Sequence, residues 1–123
     1  MYRKRKGSKS MAKDDYFVLV YKVLSYLYAC LKKGKDVTPE MLDRHGPIFQ
    51  GVPEKYYVYI FRNLIDGKYI KGPFIAEYED KTEVWKVDES TITPEGISYL
   101  MDNSTIEKVK QFLKDIKDVV PGI

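Results

Sequence analysis

Residues able to carry covalent chemistry or to bind a metal are few in this 123-residue chain. It has one histidine, His45, and one cysteine, Cys30, so neither a histidine-based catalytic triad nor a typical zinc site can be assembled. The glycines are isolated and form no phosphate-binding loop. The acid pairs Asp14–Asp15 and Glu79–Asp80 fall near a terminus and in a turn. The sequence therefore predicts a protein that is not an enzyme and has no metal, cofactor or small-molecule substrate.

The single cysteine also excludes an internal disulfide bond, which favours a reducing compartment. Cys30 lies in an apolar helical pattern, where a packed thiol is expected rather than a nucleophile. No apolar run approaches the roughly 20 residues needed to cross a bilayer, and no signal peptide follows the basic start. We therefore expect a cytoplasmic protein without a membrane partner.

The stretch from Val52 to Ile70 could recognise another macromolecule. Its apolar residues recur at three- and four-residue steps, which predicts the buried stripe of a helix at Tyr57, Ile60, Phe61 and Leu64. The opposite face of this helix would then present cationic, amide and phenol groups to a partner, from Lys55, Tyr56, Tyr59, Arg62 and Asn63.

Such a face suits the major groove of double-stranded DNA. Arg62 could pair with guanine and Asn63 with adenine through two hydrogen bonds each, while Lys55 and the tyrosines reach phosphates. Charge argues against this interpretation, because the helix has no net charge and the segment from Glu77 to Glu83 has a net charge of −3.

The overall net charge of +3 is concentrated in the first twelve residues, where five basic side chains have no acidic counterpart: Arg3, Lys4, Arg5, Lys6 and Lys9. Without them, residues 13–123 have a net charge of −2. Residues 1–12 lack periodicity and are predicted to be disordered. They form either a basic arm that binds phosphates or a solvated tail, and DNA binding would depend on the first of these.

The sequence predicts a single domain over residues 13–123, and helix-start and helix-stop residues mark the helices within it. Asp14 or Asp15 would cap a first helix that runs to about Lys33 and stops at Gly34. Thr38-Pro39-Glu40 predicts a second helix to Arg44, capped by the threonine hydroxyl, and Thr93-Pro94-Glu95 repeats that signal for a helix ending at Asn103. The first helix has an apolar stripe at Phe17, Val20, Leu24, Leu27 and Leu31, widened by Tyr21, Val23 and Tyr28.

The third helix would place Pro53 at its first position and end at Gly67 in a left-handed conformation. A strand hairpin over residues 69–87 is expected next, with a polar turn at residues 79–82 and a third short strand at Thr91 to Thr93. Ile48 and Phe49 should fill the space beneath the loop before the third helix. A last helix, from Ser104 to about Val120, is expected to pack on the first helix or, as an alternative, to form a dimer.

Three stretches together resemble the YjcQ-like winged-helix proteins of Gram-positive bacteria and their phages: GVPEKYYVYIFRNLIDGKYIKG, TITPEGISYL and STIEKVKQFLKDIKD. The resemblance covers about residues 13–120 and implies an α+β fold, with a three-helix core, a hairpin wing and two C-terminal helices. The sequence departs from the family pattern at Gly67-Lys68, where a glycine usually stands directly before the aromatic residue. It also has a longer wing and a basic extension. The resemblance brings no catalytic or binding residues to carry over.

Two functions follow from these observations. The first is a winged-helix, helix-turn-helix type of DNA-binding or regulatory protein of phage or prophage origin, with double-stranded DNA as its partner. The second is a protein–protein interaction module, or a homodimer, that uses the rings of Tyr56, Tyr59, Tyr78 and Trp85 without binding DNA.

Overall fold

The computed structural model describes residues 16–103 and residue 114, and it is an α+β fold as predicted. Helices α1 (Tyr16–Lys33), α2 (Pro39–Leu42) and α3 (Glu54–Asp66) precede the strands. Strands β1 (Ile70–Lys71), β2 (Phe74–Tyr78) and β3 (Lys81–Trp85) follow, and then a 3₁₀ turn (Val87–Glu89), strand β4 (Thr91–Ile92) and helix α4 (Pro94–Asn103). No helix within these residues is long and apolar enough to cross a membrane.

Several predictions from the sequence lie outside the described residues. They are the basic tail over residues 1–12, the capping role of Asp14 or Asp15, and the last helix after Asn103 with its packing on the first helix. For the same reason the structure does not address dimer formation through that helix.

The strands form two separate two-stranded antiparallel sheets within this part of the chain. Strand β2 pairs with β3 across a two-residue turn at Glu79–Asp80, and β1 pairs with β4 through Ile70 and Ile92. The expectation of one hairpin over residues 69–87 therefore needs correction at both ends. Ile70 belongs to the other sheet, and β3 stops at Trp85 because Lys86 takes a left-handed conformation (φ 62°) and leads into the 3₁₀ turn.

Helix α1 lies against α3, α4 and β4, and the middle of its predicted stripe is buried as expected. The ends of that stripe, Phe17 and Leu31, are exposed, so the prediction was wrong there. Because α1 has neighbours on several sides, residues outside the stripe are buried as well, among them Leu19, Tyr26 and Cys30. A single-face pattern underestimates the burial of a helix that is enclosed in this way.

Helix α2 is shorter than predicted and ends at Leu42. Thr38 is at the predicted cap position, but its hydroxyl makes no capping hydrogen bond. Instead, the Thr38 N–H donates to the buried Tyr26 hydroxyl at 2.7 Å, which ties the start of α2 to α1. Ile48 and Phe49 are buried beneath the loop before α3, as the sequence predicted.

The predicted stripe of α3 is confirmed, since Tyr57, Ile60, Phe61 and Leu64 are all buried. The Phe49 ring meets the Tyr57 ring edge-on at 4.8 Å, and the Tyr57 hydroxyl donates to the Leu42 carbonyl at 2.6 Å. Pro53 was predicted at the first helical position, but its backbone is extended (ψ 152°), so it is the N-cap residue. Its carbonyl accepts the Tyr57 N–H. These contacts join α2, the loop and α3 into one core.

The end of α3 differs from the sequence prediction in an informative way. Gly67 remains right-handed (φ −78°), and it is Lys68 that takes the left-handed conformation (φ 62°). The Lys68 N–H donates to the Ile65 carbonyl, and the Tyr69 N–H donates to the Leu64 carbonyl. These are the two hydrogen bonds of a Schellman motif. Gly67 is favoured for another reason, since a Cβ there would lie 2.7 Å from the Tyr69 ring.

Helix α1 ends through the same pair of hydrogen bonds, but with glycine in the left-handed position. The Gly34 N–H donates to Leu31 and the Lys35 N–H to Cys30, with Gly34 at φ 65°. The sequence prediction was therefore correct for α1 and wrong by one residue for α3. The departure of this chain from the family pattern falls at that residue, Lys68.

Thr93 connects the start of α4 to the end of α3. Its hydroxyl accepts the Gly96 N–H as a helix cap and donates to the Lys68 carbonyl, while its N–H donates to the Tyr69 carbonyl. A Cβ on Gly96 would lie 2.3 Å from the same Tyr69 oxygen, so α4 requires glycine for this close approach. Of the two Thr-Pro-Glu signals, only this one forms the predicted side-chain cap, because the Thr93 hydroxyl is also held by Lys68.

Replacing Lys68, which has a left-handed backbone conformation, with glycine should stabilise the protein. We expect Lys68→Gly to raise the free energy of unfolding by about 0.5–1 kcal/mol, because a residue with a Cβ is disfavoured at positive φ. Lys68→Ala is the matched control, since it removes the same side chain without relieving the backbone. Urea denaturation of the three proteins measures the difference, and an equal gain in both variants would contradict the explanation.

The buried Tyr57 hydroxyl predicts a stability difference that depends on pH. Burial raises the pKa of Tyr57 well above its ordinary value of 10, so the folded chain keeps this proton at pH values where the unfolded chain loses it. Tyr57→Phe should cost about 1 kcal/mol at pH 8, because the Leu42 carbonyl loses its donor. Above pH 10 the cost should shrink by about 1.4 kcal/mol per pH unit, since only wild type can ionise on unfolding. Denaturation midpoints of wild type and Tyr57→Phe at pH 8 and pH 11 test this. An equal difference in stability between the two proteins at both pH values would refute it.

Candidate functional site

The five residues predicted as a contact face occupy one side of α3, but their environments differ. Lys55 and Tyr59 are exposed, whereas Tyr56, Arg62 and Asn63 are half-buried. Tyr59 is the most prominent ring, with 57% of its surface exposed, and its edge meets Tyr16 of α1 at 5.9 Å. The face is therefore a single surface with one fixed aromatic ring at its centre.

Arg62 is engaged with the β2–β3 hairpin. Its Nη2 lies 2.9 Å from Oε2 of Glu77 on β2, with 43% of the Arg62 side chain and 62% of the Glu77 side chain exposed. The predicted guanine-reading group thus donates to a carboxylate of the same protein.

Asn63, the predicted adenine-reading residue, is also engaged. Its Nδ2 donates to the Tyr59 carbonyl at 3.0 Å, one helical turn earlier. A paired contact with adenine needs one amide N–H and the amide oxygen, and the bond to Tyr59 leaves the second N–H and the oxygen of Asn63 for it. The structure brings the five predicted residues together, and two of them, Arg62 and Asn63, already donate hydrogen bonds within the protein.

A groove of about 570 Å³ lies between α3 and the tip of the hairpin. From α3 it is lined by Lys55, Tyr59 and Arg62, and from the hairpin by Asp80 of the turn and the first residues of β3, Lys81 to Glu83. Because side chains alternate along a strand, those of Lys81 and Glu83 lie on the hairpin face opposite to Thr82, and the remaining charged lining residues are two acids and two bases, Glu54 and Asp80 against Lys55 and Arg62. This balance gives the groove no electrostatic preference for phosphate.

The two faces of the β2–β3 hairpin have different roles. Ile75 and Val84 are paired across the ladder and pack against the core, and Glu77 on the same face of β2 reaches Arg62. Because side chains alternate along a strand, Phe74 and Tyr78 lie on the opposite face, with Trp85 directly across from Phe74. The rings that the sequence suggested as one surface are therefore divided, with Tyr56 and Tyr59 on α3 and Tyr78 and Trp85 on the outer hairpin face.

The outer hairpin face, formed by Phe74, Tyr78, Glu83 and Trp85, is an ordered aromatic cluster. The Trp85 ring lies 5.8 Å from Phe74 and 6.0 Å from Tyr78 between centroids. Oε1 of Glu83 accepts hydrogen bonds from Tyr78 Oη at 2.8 Å and Trp85 Nε1 at 3.0 Å. The bonds from Trp85 and Tyr78 lower the pKa of Glu83, so its carboxylate stays charged, and the bond to Glu83 raises the pKa of Tyr78.

Sequence reasoning did not identify Phe74 or Glu83 as site residues. The signal was present, because alternate positions along two paired strands share a face. Register decides which positions meet, however, and the expected turn at residues 79–82 left the register of the hairpin undetermined. The two-residue turn at Glu79–Asp80 places Glu83 between the two rings.

The cysteine and the histidine have different environments. Cys30 is buried in the core, and burial raises the pKa of its thiol, which disfavours the reactive thiolate. His45 is exposed, with Nε2 at 3.3 Å from Arg44. Over residues 16–103 and at residue 114, no three His, Cys, Asp or Glu side chains form a group that could hold a metal ion. The candidate basic arm, Arg3 to Lys9, lies outside the described residues.

The fold and these surfaces define a small α+β protein in which the β2–β3 hairpin packs beside helix α3. The family model described as "YjcQ protein" matches residues 21–119, most of the chain. The chain therefore belongs to the YjcQ family, which confirms the resemblance inferred from its motifs. Comparison with curated proteins and with solved structures gave no match.

The Arg62–Glu77 ion pair should contribute little to stability. Both side chains are substantially exposed, so we expect a double-mutant cycle of Arg62→Gln and Glu77→Gln to give a coupling energy below about 1 kcal/mol. Urea denaturation of the four proteins provides the measurement. A coupling energy above about 2 kcal/mol would mean that the pair fixes the hairpin on α3 and is part of the fold.

Proposed function

We propose that this chain is a non-enzymatic regulatory protein with a winged-helix arrangement, in which the α3 surface contacts another protein. Three helices precede the β2–β3 hairpin, and the hairpin lies back against α3 in the place of a wing. This order supports the winged-helix assignment. The packed, buried state of the Cys30 thiol supports a role without covalent catalysis.

The observation that carries a protein partner over DNA is the contact between Arg62 and Glu77. A guanidinium that reads guanine presents two N–H groups to the base edge, and here Nη2 is directed to a carboxylate. Reading of guanine through Nη2 would break this ion pair, and binding of DNA to α3 would bring Glu77 close to phosphates. The hairpin segment from Glu77 to Glu83 has a net charge of −3, which repels the DNA backbone.

The α3 surface instead has the features of a protein interface. Tyr59 is a large exposed ring fixed against Tyr16, and the neighbouring groove of about 570 Å³ could accept a side chain of the partner. Rigid tyrosine rings lose little conformational freedom on binding, and aromatic residues are enriched at the centres of protein interfaces. We propose Tyr59 as the anchor of this interface.

Duplex binding through the N-terminal segment is the second candidate. Five basic residues without an acid, from Arg3 to Lys9, support sequence-independent contact with phosphates. In that case DNA binding would belong to the arm and protein binding to α3. The proposed setting is the cytoplasm of a Gram-positive bacterium, with the gene carried by the bacterium or by a phage or prophage.

Site-specific photo-crosslinking tests the proposed interface. We expect benzoylphenylalanine at position 59 to form a covalent adduct with a cellular protein on irradiation in a bacterial host. The same residue at position 31, also an exposed apolar site but on α1, should not form that adduct. Equal crosslinking at both positions, or none at position 59, would overturn the assignment to α3.

DNA binding is tested separately by fluorescence anisotropy with a random duplex at 50 mM salt. We expect any affinity of the full chain to be lost in the chain that begins at Met11 and to be unchanged by Arg62→Ala, since α3 does not contact DNA in this proposal. Circular dichroism checks that the shorter chain is folded. Substantial duplex affinity in the Met11 chain that Arg62→Ala reduces at least fivefold would instead establish α3 as the DNA-binding helix.

A further inference from the structure

We propose that the outer hairpin face binds an arginine or lysine side chain from a polypeptide segment of a partner protein. This face is formed by Phe74, Tyr78, Glu83 and Trp85 and lies on the side of the hairpin that points away from α3. Residues Lys81 to Glu83 also border the groove beside α3, but the three rings of this face do not, and the binding proposed for it does not rest on the function proposed for α3.

The three rings of the outer hairpin face are exposed. Phe74, Tyr78 and Trp85 keep 42%, 40% and 44% of their surfaces exposed, although they come from a strand pair whose other face is packed. A contiguous exposed aromatic patch is unusual on a soluble protein unless it serves recognition. The rings of Phe74 and Tyr78 are each tilted by about 60° to the Trp85 ring, so the three rings do not form a flat stack.

The cluster is ordered before any partner binds. Glu83 accepts hydrogen bonds from Tyr78 and Trp85 through the same oxygen, Oε1, and so fixes the orientation of both rings. This leaves Oε2, within the described part of the chain, as the oxygen to which a ligand could donate. Preorganised side chains reduce the entropy lost on binding.

An aromatic surface that includes a carboxylate is chemically complementary to a cation. The faces of tryptophan, tyrosine and phenylalanine attract guanidinium and ammonium groups, and the adjacent carboxylate can accept a hydrogen bond from the same group. A guanidinium fits this arrangement best, since it is planar, can stack on Trp85 and has several donors for Glu83.

Charge favours a cationic segment over two other occupants of this face, a second copy of the chain and a single-stranded nucleic acid. Glu77 is on the inner face and is paired with Arg62, which leaves Glu79, Asp80 and Glu83 against one base, Lys81, a net charge of −2 at this end of the hairpin. Two copies of this chain placed face to face would bring two such negative ends together, and a single-stranded nucleic acid would bring phosphates to the same acids. The same negative charges that repel a second copy and a nucleic acid attract a cationic segment.

Trp85 is the only tryptophan of the chain, so its fluorescence reports directly on the proposed site. We expect the emission of the full chain to change in a saturable way when it is titrated with the peptide acetyl-(Gly-Arg)₄-amide. The same peptide with citrulline, a neutral analogue of arginine, should bind at least fivefold more weakly. Raising the salt from 50 to 300 mM should weaken binding of the arginine peptide, since the attraction is partly electrostatic.

Two variants on the outer hairpin face and one control assign the effect. Glu83→Gln keeps a hydrogen-bond acceptor but removes the charge, and Phe74→Ala removes a ring, so each should weaken peptide binding at least fivefold. Asp36→Asn removes an exposed charge from the loop between α1 and α2 and should leave binding unchanged. Circular dichroism checks that each variant is folded. If Glu83→Gln does not fold, Phe74→Ala still tests the site.

Three results would overturn the proposal. The first is no saturable change with the arginine peptide, or equal binding of the citrulline peptide. The second is equal affinity in the Glu83→Gln and Asp36→Asn variants. The third is an emission shift produced instead by raising the concentration of the protein alone or by adding oligo(dT), which would assign the face to a second copy or to single-stranded DNA. Because none of these results involves Tyr59, the crosslinking experiment on α3 is judged independently.

Discussion

The architecture after residue 66 depends on how α3 ends. The Schellman hydrogen bonds at Lys68 and Tyr69 turn the chain out of the helix, and the two carbonyls exposed by that turn are both taken up by Thr93. Through this threonine the start of α4 is fixed to the end of α3, and β1 and β4 are brought together in register beside it. The left-handed backbone of Lys68 is therefore a local cost that is offset by contacts from residues more than twenty positions later in the sequence.

The surfaces follow from the same turn. Once β1 leaves α3 in a fixed direction, the β2–β3 hairpin lies against the helix with one face, and this contact brings Glu77 to Arg62. The hairpin thus neutralises the most DNA-like cation of α3 with its inner side chains and presents aromatic rings with its outer ones. A single element separates two contact surfaces of different chemistry, a balanced groove beside α3 and an anionic aromatic cluster on the opposite side.

Much of the fold could be predicted from the sequence, because helix periodicity and stop signals are local properties. The stripe of α3, the end of α1 at Gly34 and the burial of Phe49 all depend on nearby residues and were predicted correctly. The errors occurred where distant contacts decide the outcome. Thr38 and Thr93 start identical tripeptides, but only Thr93 has the Lys68 carbonyl beside it, and the exposed ends of the α1 stripe depend on which elements surround that helix.

The candidate site shows the same division between local and distant information. Helical periodicity placed Lys55, Tyr59 and Arg62 together on one face, as the structure has them. The sequence could not show that Arg62 contacts Glu77, fifteen residues later, or that Glu83 connects Tyr78 with Trp85, since both depend on strand register. Register is set by the length of one turn, which residue types alone specify weakly.

The separation of the two sheets has a consequence for motion. In the described part of the chain, the β2–β3 ladder has no strand pairing with β1 or β4, so its inter-strand hydrogen bonds all lie within the hairpin. The hairpin can therefore open as a unit while the core around Phe61 and Leu24 stays closed, with amide protons that exchange with solvent sooner than those of α3. For the same reason the turn at Glu79–Asp80 is the place where the chain should best tolerate inserted residues, so the reach of the hairpin can vary without any change to the core.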